Sequence, residues 1–144
     1  MGPDTPRGAW RRDAARLLSL WGPVAAHLLL IFTLSSFPGL PAPPGRLTDK
    51  QAHAIAYAVL AGLLCRALAG GRLSGLTAGR ALAALLLATI YGATDEWHQS
   101  FVPGRESDVA DLYADAAGAA IAAAGCFSCG IIGRFWRGRG AAAC

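Results

Sequence analysis

The residues best suited to chemistry in this chain are carboxylates and imidazoles that recur at helical spacing. Asp49, His53 and Tyr57 follow one another at intervals of four, so they lie along one face of a helix, with Lys50 beside them. Such groups can act as general acids or bases, bind a divalent ion, or form hydrogen bonds with a polar ligand. This face is therefore the first candidate for a functional site.

Two further polar segments can meet this face. The segment 94–99 carries five polar groups in six positions. Asp108, Asp111, Asp115 and Gly118, at intervals of three, four and three, form one face of a helix that begins near residue 108. We expect the three segments to converge on one shallow pocket. They and their loops hold seven of the nine acidic residues: Asp49, Asp95, Glu96, Glu106, Asp108, Asp111 and Asp115.

The composition indicates what kind of protein carries these groups. Of 144 residues, 54% are apolar and only 15% are charged, which leaves too little polar surface to coat a soluble domain of this size. The same numbers exclude a disordered chain. They fit a small polytopic membrane protein, whose apolar side chains face lipid. A soluble helical bundle with buried helices is the alternative.

Four apolar stretches are long enough to cross about 30 Å of hydrocarbon. They cover residues 17–37, 52–69, 76–94 and 112–132, and the third is the weakest because Arg80 interrupts it. The predicted fold is all-α, a polytopic membrane protein built as a four-transmembrane-helix bundle. We expect a single membrane domain over residues 1–144, with a core at 17–132 and basic cytoplasmic tails at 1–16 and 133–144.

The basic residues predict the orientation. They cluster before the first stretch, around the loop between the second and third, and after the fourth, whereas the other side holds only Arg46, Lys50 and Arg105. The positive-inside rule then places both termini in the cytoplasm. Insertion explains these charges, so we expect no nucleic-acid partner. A cleaved signal peptide is the alternative for the first stretch, but no clear cleavage site follows it, and we expect an uncleaved span.

Asp115 is the most unusual of the acidic residues, because it lies about one turn inside the fourth apolar stretch. A carboxylate is unfavourable in lipid, so Asp115 should face the bundle. There it either pairs with Arg105, Lys50 or a histidine, or keeps its proton. The polar groups could instead form a satisfied network of ion pairs that only fixes helix register.

These segments together resemble the VanZ-like family of small bacterial membrane proteins, over roughly residues 35–125. The motifs are Asp49-Lys50-x-x-His53-x-x-x-Tyr57, Tyr91-x-x-x-Asp95-Glu96-Trp97-His98-Gln99-x-Phe101-Val102-Pro103-Gly104-Arg105 and Asp111-x-x-x-Asp115-x-x-Gly118. The resemblance implies a helical protein of the bacterial cytoplasmic membrane. The family's named member gives low-level resistance to the glycopeptide teicoplanin, so the resemblance implies such resistance as one expected function of this chain.

The resemblance also implies which residues form the site. Position 115 is often asparagine and position 108 often serine in such proteins, whereas both are aspartate here, which adds negative charge. The predicted ligand-binding residues, with Asp115 added from its position in the span, are Asp49, Lys50, His53, Tyr57, Asp95, Glu96, His98, Gln99, Arg105, Asp111 and Asp115.

Three functions are compatible with these residues. The first is a non-enzymatic protein of the cell envelope that binds a lipid-linked cell-wall precursor, a lipid head group or a glycopeptide, with Arg105 and Lys50 contacting an anionic group. The second is a metal-assisted or acid/base enzyme acting on a lipid-linked substrate. The third is a small proton-coupled transporter. The spacing matches no specific metal motif, so the sequence specifies neither a metal ion nor a cofactor. Membrane lipids are expected partners in all three cases.

Overall fold

The computed structural model describes residues 6–38, 47–105 and 107–141. Arg46 and Glu106, which the sequence assigns to the outer side, lie outside the described residues. The described chain is all-α, as predicted. Its helices are α1 (Pro6–Ser35), α2 (Asp49–Leu68), α3 (Ala78–Gln99) and α4 (Val109–Ala141), with a 3₁₀ turn at Leu73–Gly75.

The start of α2 is fixed by a capping box. The Thr48 hydroxyl accepts a hydrogen bond from the Gln51 N–H at 3.3 Å, and the Thr48 N–H donates to Gln51 Oε1 at 2.9 Å. Two backbone donors are thereby satisfied at the helix end. Because the cap sets where α2 begins, it also sets the position of Asp49, Lys50 and His53 in the first turns.

A tight glycine-containing turn joins α2 to α3. Gly70 and Gly71 have φ of 69° and 95°, a region that favours glycine. Their N–H groups bond to Ala67 and Arg66 carbonyls at the end of α2. The short connection brings α2 and α3 together side by side. The end of α3 consequently lies beside the start of α2.

Small residues allow α4 to approach α2 closely. A Cβ built on Gly118 would collide with the Ala54 carbonyl oxygen of α2, and one built on Gly130 would collide with the Leu73 carbonyl oxygen. Close approach of this kind is how helices associate in lipid, where the hydrophobic effect does not drive them together. The fully buried core between the helices is rich in small side chains: Ala61, Cys65, Ala84, Ala88 and Ala119.

Large apolar side chains cover the outside of the bundle, as expected for helices that face lipid. Three helices are long and apolar enough to cross a membrane, at Gly8–Ser35, Asp49–Leu68 and Val109–Arg137. The remaining helix, α3, is not among them, because Arg80 lies near its start and the acidic pair Asp95 and Glu96 lies near its end. The prediction of four spans is thus confirmed for three helices only, among the residues described.

Candidate functional site

Polar side chains from α2, α3 and α4 meet at one end of the bundle. The topology brings them together, because the starts of α2 and α4 and the end of α3 lie at the same end. Most of these groups are buried or half-buried, so they form a site rather than a solvated surface. We call this set the polar cluster; its members are Asp49, Lys50, His53, Tyr57, Asp95, Glu96, Gln99, Asp108, Asp111 and Asp115.

Lys50 joins α2 to the start of α4. Its ammonium donates to Asp108 Oδ2 at 2.7 Å and to Asp111 Oδ1 at 2.9 Å. The adjacent ammonium holds the pKa of the exposed Asp108 carboxyl below its ordinary value of 3.8. Asp108 Oδ1 also accepts the Ala110 N–H at 2.8 Å, in the first turn of α4. The positive charge of Lys50 is therefore shared between two aspartates.

His53 and Asp115 form a second pair, deeper in the bundle. His53 Nδ1 lies 3.1 Å from Asp115 Oδ1, and the Asp115 side chain is 1% exposed. Of the partners that the sequence allowed for Asp115, the structure selects His53. Within the described chain, Asp115 Oδ2 has no hydrogen-bond partner.

The carboxylates of α3 are buried with neutral donors. Gln99 Nε2 donates to Asp95 Oδ2 at 3.0 Å and to Glu96 Oε1 at 3.3 Å. The Asp108 N–H donates to Glu96 Oε2 at 3.0 Å, which ties α3 to the loop before α4. Among the side chains described, neither Asp95 nor Glu96 forms an ion pair with a lysine or an arginine.

Tyr57 and Gly92 form the floor of the polar cluster. The Tyr57 side chain is fully buried, and its hydroxyl has no hydrogen-bond partner in the described residues. Gly92, one turn before Glu96 on α3, leaves the space that Asp115 and Tyr57 occupy. A Cβ on Gly92 would lie 2.9 Å from Asp115 Oδ2 and 3.2 Å from Tyr57 Cε1.

Two predicted site residues lie apart from the polar cluster. His98 faces α1, where its Nε2 is 3.1 Å from Ser36 Oγ and its ring is 4.8 Å from that of Phe32. Arg105 donates from Nη2 to the Leu34 carbonyl at 2.9 Å, at the end of α1. The predicted convergence is therefore not observed for His98 of the segment 94–99, and the predicted ligand-binding residue Arg105 also lies outside the polar cluster; both side chains instead connect the end of α1 to the bundle.

The structure also brings to the site residues that the predicted ligand-binding set does not contain. Asp108 was placed on the acidic face but not in the site, and its spacing of three from Asp111 was the signal that both reach one lysine. Gly92 gave a weaker signal, as a glycine one turn before an acidic pair. Nothing in the sequence indicated that Ser36 would meet His98.

Two sets of side chains in the polar cluster could hold a metal ion. One is Asp49, His53 and Asp111; the other is His53, Glu96 and Asp115. In each set, one possible ligand atom per residue lies within 4.8 Å of the others. Carboxylates combined with an imidazole are ligands for divalent ions. His53 belongs to both sets, so it is the residue on which metal binding here would depend.

An apolar groove of about 480 Å³ opens between α1, α2 and α3. Its wall includes Trp21, Leu28, Leu60 and Tyr91, and it ends at Thr94, directly before Asp95. The Tyr91 ring lies 6.4 Å from the ring of Tyr57. The groove thus runs along the bundle, and its wall includes Tyr91, which contacts Tyr57 of the polar cluster.

Comparison with known proteins identifies a family. A family model described as VanZ/LLP1 matches residues 15–132, which include every residue of the polar cluster. The match confirms the resemblance predicted from the sequence motifs. Comparison with curated proteins and with solved structures gave no match.

Proposed function

Because this chain belongs to the VanZ/LLP1 family, we propose that it is an integral protein of the bacterial cytoplasmic membrane in which all four helices cross the bilayer. At 22 residues, α3 is long enough to do so, and it carries the exposed apolar residues Leu82, Leu86 and Ile90. Exposed aromatic residues lie near both ends of the bundle, as at membrane interfaces: Trp10 and Trp136 at one end, Trp97 and Phe101 at the other.

The orientation that follows places the polar cluster outward and both termini in the cytoplasm. Its basis is the excess of arginine at the opposite end of the bundle. Arg134, one of these residues, donates to the Ser74 and Leu76 carbonyls at 3.0 and 2.9 Å. The polar cluster would then face the compartment in which cell-wall precursors are used.

At that face the protein binds a ligand of the cell envelope, either a lipid-linked cell-wall precursor or a glycopeptide, and thereby confers resistance to teicoplanin. The observation that carries this proposal is the burial of charged groups from three helices at one site, where Asp111 and Asp115 are each less than 10% exposed. Burying charges is costly, and a protein that needed only to fold could do without them.

The apolar groove favours the lipid-linked ligand. A polar head group in the polar cluster and a hydrocarbon chain in the groove would lie end to end, because Tyr91 and Thr94 form the end of the groove beside Asp95. A small-molecule site commonly combines an apolar wall with a few convergent polar groups. Membrane lipids themselves would occupy the groove when no precursor is bound.

A second candidate is an acid/base or metal-assisted enzyme acting on the same lipid-linked substrate. The pair formed by His53 and Asp115 favours it, since a carboxylate that orients an imidazole is a common arrangement for general acid/base catalysis. An enzyme would alter the lipid-linked precursors of a cell that expresses it, whereas a binding protein would leave their structures unchanged. Mass spectrometry of extracted lipids separates the two.

The test of the main proposal is teicoplanin susceptibility in a sensitive bacterial host. Expression of the wild type should raise the minimal inhibitory concentration, and His53→Ala and Asp111→Asn should abolish that rise. Asp13→Asn is the matched control, because Asp13 is an exposed acid in α1, remote from the polar cluster. The proposal is overturned if the wild type gives no protection at membrane levels confirmed by immunoblot, or if both cluster variants protect as well as the control.

A further inference from the structure

We propose that His53, Glu96 and Asp115 bind a divalent transition-metal ion within the polar cluster. The three residues come from α2, α3 and α4, and one ligand atom from each lies within 4.8 Å of the other two. The inference rests on the proposed function, in that it names the ion through which the same site would hold its ligand.

The first argument is the charge balance of the polar cluster. Lys50 is occupied by Asp108 and Asp111. The deeper carboxylates, on Asp95, Glu96 and Asp115, share one basic group among the described residues, the imidazole of His53. Even with His53 protonated, ionised carboxylates would outnumber positive charges there. A divalent cation would supply the missing positive charge in the buried part of the polar cluster, where an uncompensated carboxylate costs the most free energy.

The second argument is an unused ligand atom. Asp115 is fully buried, and its Oδ2 has no hydrogen-bond partner among the described residues. That oxygen points at Gly92, since a Cβ added to this glycine would lie only 2.9 Å from it. Glu96 lies one turn after Gly92 on the same face of α3. Asp115 Oδ2 is therefore directed at the face of α3 that carries the Glu96 carboxylate. Asp95 Oδ1, close by on α3, is likewise unpartnered in the described chain.

The chemistry of the donors selects the class of ion. An imidazole together with carboxylates suits Mn²⁺, Fe²⁺ or Zn²⁺, whereas Mg²⁺ prefers oxygen ligands and retains several waters. Two ligands that are each about 2.0–2.2 Å from such an ion lie about 3.0–3.5 Å apart, and His53 Nδ1 and Asp115 Oδ1 are already 3.1 Å apart. Binding would link α2, α3 and α4 through one ion and thereby stabilise the fold.

A bound ion would also account for recognition of an anionic ligand by an acidic site. Carboxylates alone repel a phosphate, but a metal ion held by them inverts the local potential and offers open coordination positions to a phosphate oxygen. The polar cluster could then bind the head group of a lipid-linked precursor without a free lysine or arginine.

The experiment measures metal content and thermal stability of the full chain purified in detergent, after chelator treatment and then addition of Zn²⁺, Mn²⁺ or Mg²⁺. We expect Zn²⁺ or Mn²⁺ to be retained in an equimolar amount and to raise the Tm, and Mg²⁺ to have a much smaller effect. His53→Ala and Glu96→Gln should each weaken binding by more than about 100-fold. His98→Ala is the control, because it removes an imidazole at the same end of the bundle that contacts α1 instead.

Glu96→Gln keeps the shape of the side chain, so it tests the site even if His53→Ala fails to fold. The proposal is overturned if no ion changes the Tm, or if His53→Ala and Glu96→Gln bind metal as tightly as His98→Ala; the deep carboxylates would then be balanced by protons. These readouts do not depend on antibiotic susceptibility. Metal binding without resistance would overturn the proposed function but support the metal site. Resistance without metal binding would support the proposed function but overturn the metal site.

Discussion

Asp115 in α4 lies opposite Gly92 in α3, at a distance that leaves no room for a side chain at position 92. A Cβ there would be 2.9 Å from Asp115 Oδ2, 3.3 Å from Asp115 Cβ and 3.2 Å from Tyr57 Cε1. None of these atoms can move freely, because Asp115 and Tyr57 are both fully buried. The close contact between α3 and α4 therefore depends on glycine, which has no Cβ, at position 92.

Gly92→Ala should destabilise the protein by about 1–3 kcal/mol, the usual cost of overfilling a packed interior. The matched control is Gly79→Ala in the same helix, where a Cβ would meet nothing within 4 Å. There the higher helix propensity of alanine should leave stability unchanged or raise it by up to about 1 kcal/mol. Thermal melts in detergent measure both, and equal melting temperatures for the two variants would contradict the prediction.

Gly118→Ala should be more damaging than Gly92→Ala, with a loss of about 3 kcal/mol or more. Its Cβ would collide with the Ala54 carbonyl oxygen, which belongs to the backbone of α2 and cannot rotate away. The control is Gly125→Ala, on the same helix, where the added Cβ meets nothing within 4 Å. Yield of folded protein after purification, together with the Tm, is the measurement. A normal yield of folded Gly118→Ala would show that α2 and α4 are less closely packed in the protein than the contact between Gly118 and Ala54 indicates.

Acidification should weaken the link between Lys50 and Asp108. The pKa of Asp108 is lower in the folded protein than its ordinary value of 3.8, so its contribution to stability is present above pH 3.8 and is lost as the pH falls through the folded pKa. As the pH falls below 3.8, the Tm of the wild type should therefore decrease more steeply than that of Asp108→Asn. Asparagine is a suitable comparison because its oxygen can still accept the Ala110 N–H. Parallel curves would rule out this contribution.

Much of the polar cluster could be predicted from helical periodicity. The spacing of Asp49, His53 and Tyr57, and of Asp108, Asp111 and Asp115, put each set on one face, and the structure pairs those faces through Lys50 and His53. Periodicity works here because α2 and α4 are regular helices that contact each other directly.

The polar run at the end of α3 was harder to assign. Asp95 and Glu96 face α2 and α4, whereas His98 lies one turn after Thr94, on the side of the helix that also carries Tyr91. Tyr91 and His98 both contact α1, Tyr91 by donating to the Leu28 carbonyl at 2.8 Å. The consecutive polar residues at the end of α3 therefore divide between two faces of the helix. The sequence does not show which of these faces packs against α1.

Arg105 could not have been placed from sequence at all. It follows the turn at Pro103 and Gly104, whose φ is 82°, so its direction depends on loop geometry rather than on a helical repeat. Its charge suggested a carboxylate partner, yet it donates to the Leu34 carbonyl at the end of α1. Unsatisfied carbonyls at a helix end are strong acceptors, and here one of them meets the guanidinium.

Cysteine labelling can test whether α3 crosses the membrane. In a variant whose native cysteines are replaced, Ser100→Cys at the end of α3 and Ala78→Cys at its start are both exposed. A membrane-impermeant maleimide applied to intact cells should label Ser100→Cys and should label Ala78→Cys only after permeabilisation. Equal labelling of the two positions in intact cells would place both ends of α3 on one side and exclude four crossings.

The contacts of Gly118 with Ala54 and of Gly130 with Leu73 hold α4 at two separate heights, backbone against backbone. Two such points oppose sliding, because a shift of α4 that brought the Cβ of another residue to either position would drive it into a carbonyl oxygen. These contacts tie α4 to α2 at one height and to the 3₁₀ turn before α3 at the other.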